Sequence, residues 1–205
     1  MKHLKITISF YSILAIVILF TGCEDFLDVE PQGELTQESF PETAEDALLA
    51  TNACYTTFRG WNYHSGGYPI LDIMSDDARK GSNPADQRAN VGPYNTFSIT
   101  PTADGLDRWW TELYKGIKRT NVVISKVPDI PMDGNAKTRY IAEASFIRGF
   151  LYFDLVRAWG GVPLITLTNP DFNIGRSSRE AIFDQVIGDL SYAAQNLPLR
   201  SNYNN

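Results

Sequence analysis

Cysteine and histidine are scarce in this chain of 205 residues, with two of each. His3 belongs to the N-terminal segment, which leaves His64 alone. No zinc cluster and no Cys/His or Ser/His/Asp nucleophile arrangement can be assembled from that set. Cys23 and Cys54 cannot build a disulfide framework. Positive charge is also in deficit: 18 Lys and Arg face 24 Asp and Glu, for a formal net charge of −6. An acidic surface argues against nucleic acid or anionic lipid as partner, because both are polyanions. No apolar run reaches the roughly 20 residues that span a bilayer as a helix. No recognisable catalytic motif is present. Carboxylates are plentiful, so composition alone leaves a surface glycosidase or protease open.

What is present begins at the N-terminus. Lys2 and Lys5 precede an apolar run from Ile6 to Phe20, interrupted by Thr7, Ser9 and Ser12, and Phe20-Thr21-Gly22-Cys23 follows. A basic start, an apolar middle and a small residue before the cut mark an export signal over residues 1–22. Gly22-Cys23 resembles a bacterial lipobox, in which the Cys thiol takes a diacylglycerol and becomes the mature N-terminus. Phe20 stands where that pattern prefers Leu. An ordinary secretory signal with an incidental Cys is the competing reading. Loss of Lys2 and Lys5 with the signal takes the net charge from −6 to −8. The acidic residues Glu24, Asp25 and Asp28 resemble the surface-export signal of Bacteroidetes lipoproteins. Residues 23–42, punctuated by Pro31, Gly33 and Pro41, read as an extended tether.

Residues 43–205 read as mostly α-helical. The first helix is expected over Ala44–Phe58, opened by Thr43 and Asp46 in capping-box spacing, with Ala44, Ala47, Leu48, Thr51, Tyr55 and Phe58 on one face. The second runs from Asp107 to Val127, with a stripe of Trp110, Leu113, Tyr114, Ile117, Asn121 and Ile124. Asn121 sits within that apolar face, and a buried amide must be hydrogen-bonded. The third runs from Lys137 to Trp159 and stops at Gly160-Gly161. Arg139, Glu143, Asp154 and Arg157 share one face. Arg148 lies opposite, where it needs a carboxylate or carbonyl partner. The fourth runs from Arg179 to Asn196, opened by Ser177 and Glu180. It carries a broad apolar face and no following partner, which points to an incomplete chain or to an end that packs poorly.

Residues 60–106 hold many glycines and prolines, the aromatics Trp61, Tyr63, Tyr68, Tyr94 and Phe97, and the charged run Asp72, Asp76, Asp77, Arg79, Lys80. They read as a long loop with at most a helical turn or two around Leu71. Long loops in compact proteins are commonly functional, and the aromatic content argues against disorder. Aromatic faces for stacking, with carboxylates, amides and guanidinium groups to grip hydroxyls, suit sugar capture. Trp61, Asp72, Asp77, Arg79, Tyr94 and Asn95 are the ligand-binding candidates. Each has a plainer alternative: satellite core for Trp61 and Tyr94, a solvated charged turn for the acids and Arg79. The spacing of Asp72, Asp76 and Asp77 lacks an EF-hand pattern, so no metal is assigned.

The run RYIAEASFIRGFLYFDLVRAWGGVPLI at residues 139–165 closely resembles the signature helix of the SusD/RagB family. CEDFLDVEPQG (23–33), WTELYKGIKRTNVVISKVP (110–128) and SSREAIFDQVIGDLSYAAQNLP (177–198) resemble the same family in the same order. The resemblance implies tetratricopeptide-like helix pairs carrying irregular ligand-bearing loops. It implies a non-catalytic outer-membrane lipoprotein that binds oligosaccharide or peptide and lids a SusC-like TonB-dependent transporter, with no cofactor. It also implies an incomplete chain, because family members are much longer. A helical adaptor of the transporter without its own ligand site, or a non-functional truncated product, are the competing readings.

Overall fold

Thr43 and Asp46 start the first helix. The Thr43 hydroxyl accepts from the Asp46 amide at 3.1 Å, and the Asp46 carboxylate accepts from the Thr43 amide at 3.0 Å. Two donors that the first turn leaves free are thereby satisfied reciprocally. These hydrogen bonds hold the Asp46 carboxyl below its ordinary pKa. The computed structural model describes residues 40–79, 81, 91–171 and 173–199. The signal segment, Cys23 and the tether up to residue 39 lie outside the described residues. Among the described residues the architecture is helical, without strands.

Helix α1 spans Ala44–Tyr55 and continues as a 3₁₀ turn, Thr56–Arg59. Its buried face is Ala47, Ala50, Thr51 and Cys54. Leu48 and Tyr55, expected on that face, are exposed. The face is rotated because α1 meets its neighbours through its small residues, which let backbones approach closely. Just before it, Phe40 packs on the core and its carbonyl accepts from Lys126 Nζ at 3.3 Å. The last residues of the expected tether are therefore docked.

Helix α2, Trp61–Tyr68, replaces the expected loop. Its composition reads as loop because it contains Gly66 and Gly67. Those glycines are contact residues: a Cβ on Gly66 would lie 2.3 Å from Trp109 Cβ and 2.4 Å from the Gly105 carbonyl oxygen. A π turn, Pro69–Ile73, and a short helix α3, Gly92–Asn95, follow.

Helix α4 spans Asp104–Lys126 and buries Trp109, Leu113, Ile117, Thr120, Asn121 and Val123. Trp109 rather than Trp110 leads the stripe. A 3₁₀ turn at Val127–Asp129 leads to α5, Gly134–Trp159, whose start Asp133 caps by accepting from the Ala136 amide at 2.9 Å. Helix α6 spans Arg179–Asn196 and is capped by Ser178, not Ser177. α5 ends because Gly160 takes φ +71°, and a Cβ on Gly161 would lie 2.3 Å from the Ser177 carbonyl oxygen.

Helices α1, α4, α5 and α6 enclose one apolar core, centred on Trp109, Leu113, Ile117, Ile147, Leu151, Leu155 and Ile182. Ile73, Val91 and Tyr94 form a smaller satellite with Met74, Ile99 and Leu106 around them. No helix of the described residues is long and apolar enough to cross a membrane.

Candidate functional site

Two stretches are pinned to this helical frame by side chains: α2 and the connection after α5. Tyr63 on α2 ties the first to α5. Its hydroxyl donates to Asp154 Oδ2 at 2.9 Å, and its ring meets Phe58 edge-on at 5.3 Å. Asp154 is 1 % exposed and also accepts from Arg157. The sequence pattern put Asp154 on a charged face, but α2 covers it. Burial raises the Asp154 carboxyl above its ordinary pKa, against the lowering effect of Tyr63 and Arg157. Burial also raises the Tyr63 hydroxyl, reinforced by the Asp154 charge.

A polar chain of side chains fixes the second segment. Arg148 forks onto Asp189, Nε to Oδ2 at 2.8 Å and Nη2 to Oδ1 at 2.7 Å. Its Nη1 donates to Asn121 Oδ1 at 3.0 Å, and Asn121 Nδ2 donates to the carbonyls of Ile165 at 3.0 Å and Leu167 at 3.3 Å. A bidentate Arg–carboxylate pair supplies direction as well as energy. Here it aims an amide at an irregular stretch of backbone. Tyr152 adds to the grip, donating to the Ile165 carbonyl at 2.9 Å and accepting from the Ile165 amide at 2.7 Å. Burial pushes its hydroxyl up to about 12. Tyr114 donates to the Pro163 carbonyl at 2.7 Å. Arg148 and Asn121 thus serve the scaffold and reach no open surface.

The six candidates separate by environment. Trp61 opens α2 and is 66 % exposed. Asp72 and Asp77 are exposed on a turn organised by Ser75, whose hydroxyl donates to the Asp72 carbonyl at 2.6 Å and accepts from the Asp77 amide at 3.2 Å. Arg79 and Asn95 are exposed as well. Tyr94 is fully buried with Ile73 and Val91. Its ring offers no open face for stacking, so it takes the core alternative and is removed from the candidates. Of the aromatics in residues 60–106, Trp61 and Phe97 are exposed, while Tyr94 is buried and Tyr63 is engaged with Asp154. Trp109, Trp110, Tyr114 and Trp159 form one continuous cluster, with ring centroids 4.9–5.2 Å apart.

A cleft of about 510 Å³ lies elsewhere, where α5 begins and α6 ends, lined by Asp133, Asn135, Thr138, Arg139, Asn196 and Leu197. It includes none of the candidates. Among the described residues no group of three or more His, Cys, Asp or Glu side chains is placed to hold a metal ion.

A SusD-like family model, described as "Starch-binding associating with outer membrane", matches residues 25–204. The chain belongs to the SusD-like family. A SusD-like protein of Formosa agariphila is 34 % identical over 98 % of the chain and 39 % of its own length. A SusD-like protein of Bacteroides ovatus is 32 % identical over 90 % of the chain and 34 % of its own length. Among solved structures, a laminarin-binding SusD-like protein superposes with a TM-score of 0.66 at 33 % identity, covering 77 % of this chain and 35 % of that one. A SusD superfamily protein of Bacteroides thetaiotaomicron gives 0.66 at 26 % identity, covering 76 % and 38 %. The chain therefore spans under two-fifths of these SusD-like relatives, and its helices are the tetratricopeptide-like frame of that family.

Proposed function

We propose that this protein is a non-catalytic, cell-surface binder of oligosaccharides, anchored to the outer membrane through a lipid on Cys23 and delivering its ligand to a SusC-like TonB-dependent transporter. The observation that carries this reading is the SusD-like match across residues 25–204. Two further facts support it. A structural neighbour at 33 % identity binds laminarin, a glycan. Helix α2 carries an exposed Trp61 and is held to α5 by Tyr63 and Asp154, and the exposed Asp72, Asp77, Arg79 and Asn95 follow it in the sequence. Trp61, Asp72, Asp77, Arg79 and Asn95 are the proposed contact residues. A flat apolar ring with polar groups around it suits a pyranose, which has an apolar C–H face and a rim of hydroxyls.

The test is a panel of soluble starch, laminarin, xylan and mannan oligosaccharides, with mixed peptides alongside. Each is incubated with the purified protein, scored for retention and then analysed for cleavage products. The expected result is retention of at least one glycan and recovery of that glycan intact. Retention of peptides alone would move the ligand class to peptide. Cleavage, or retention of nothing, would contradict the proposal.

A further inference from the structure

The turn that closes α3 contains a residue that folding does not account for. The amide of Ser98 donates to the Pro93 carbonyl at 2.9 Å, and the amide of Phe97 donates to the Tyr94 carbonyl at 3.4 Å. These two bonds make a Schellman helix end, which places the residue after the C-cap in the left-handed region. Glycine is the usual occupant, because a side chain there crowds its own backbone. This chain has Phe97 at that position, with φ 55°, the one positive φ outside glycine among the described residues.

The phenyl ring gains nothing visible in exchange. Phe97 is 69 % exposed, the most exposed aromatic side chain among the described residues, ahead of Trp61. The turn beneath it is firmly held. Tyr94, three residues earlier, is fully buried, and the Thr96 and Ser98 hydroxyls are hydrogen-bonded to each other at 2.8 Å on either side of the ring's own residue. A strained backbone, a large apolar ring in water and a rigid base occur together. Strain of this kind marks positions held for a purpose other than stability. Composition offers no signal for it, since nothing in Tyr-Asn-Thr-Phe-Ser announces a left-handed residue.

We infer that Phe97 is a ligand-stacking residue, presented by the Schellman turn to the apolar C–H face of a sugar ring, with exposed Asn95 and the Thr96–Ser98 hydroxyl pair available to the ring's hydroxyls. This rests on the oligosaccharide-binding reading and adds a specific contact to it. The ligand class is a glycan with at least one pyranose free to lie flat, rather than a charged or peptidic ligand.

The experiment compares wild type with Phe97→Gly, Phe97→Ala and Phe97→Trp, using whichever glycan of the panel the wild-type protein retains. Affinity and thermal midpoint are both measured. Phe97→Gly is expected to weaken binding by about tenfold or more, while its midpoint stays level or rises because glycine relieves the backbone. Phe97→Ala is expected to lose affinity similarly, and Phe97→Trp to keep most of it. Unchanged affinity in Phe97→Gly overturns the inference and leaves the proposed function standing. A lowered midpoint in Phe97→Gly also overturns it, since that outcome makes Phe97 a packing residue. Failure of the wild type to retain any glycan overturns the proposed function, and this inference with it.

Discussion

Asp154 is the residue where burial and chemistry pull hardest against each other. Its carboxyl is raised above the ordinary value by desolvation, although Tyr63 and Arg157 both favour the ionised form. A carboxyl raised in the folded state binds its proton more tightly there than in the unfolded chain. Its stabilising contribution is therefore present below the ordinary carboxylate range and is lost as pH rises through the raised value. Asp154→Asn cannot titrate. The midpoint of that variant minus that of wild type is expected to increase as pH rises from below the ordinary Asp range toward neutrality. Thermal melts across that window check this, and a difference that is flat or falls with pH would contradict it. At this scale the sequence was partly legible. That Arg148 needs a carboxylate follows from its apolar surroundings. That the carboxylate is Asp189, and that Asn121 stands between Arg148 and the Ile165 carbonyl, depends on contacts made across 27 to 44 positions. Asp154 was misplaced for the same reason: helical spacing fixes a face but not what later covers it.

Among the elements, the long helices α4, α5 and α6 were readable and α2 was not. The long ones carry sustained apolar stripes and clear stops, such as Gly160. Helix α2 has eight residues, two of them adjacent glycines, and its stability comes from docking on α4 rather than from propensity. A pair of substitutions separates the two roles a helical glycine can have. Gly66→Ala improves helix propensity but drives a methyl into Trp109 and the Gly105 backbone. It is expected to destabilise the protein by about 1–3 kcal/mol, the usual range for overpacking. Gly188→Ala, in α6 with nothing within 4 Å of the added carbon, is expected to stabilise by about 0.5–1 kcal/mol. Denaturant titrations measure both. If Gly66→Ala proved neutral or stabilising, the docking of α2 on α4 through its glycines would be wrong. The cap of α6 shows a finer limit of pattern reading. Ser177 and Ser178 are equivalent in sequence, and only the backbone decides that Ser178 receives the Ala181 amide, at 3.2 Å.

At the scale of the whole molecule, buried polar pins hold two stretches to the helical frame. One is Tyr63–Asp154 between α2 and α5, the other Asp189–Arg148–Asn121 under the backbone at Ile165 and Leu167. The frame was legible because family signatures sit on its helices. The environment of the candidate contact residues was not, because the short elements that carry them show no sustained periodicity: Trp61 and Tyr94 look alike in sequence, yet one lies in solvent and the other in a core. On the proposed reading, anchoring is separable from binding. Cys23→Ala is expected to abolish acylation and release the protein from membranes, checked by mass spectrometry of the N-terminal peptide and by fractionation, while leaving soluble glycan affinity intact. Acylation persisting in that variant would remove Cys23 as the anchor. The central claim is that the protein holds a glycan without changing it. It is tested most directly by calorimetric titration of the purified protein with the glycan it retains, followed by chromatography of the recovered sugar. Saturable binding with about one site per chain and an unaltered glycan is the predicted result. A continuing heat of turnover with shortened products, or no saturable binding to any glycan, would contradict it.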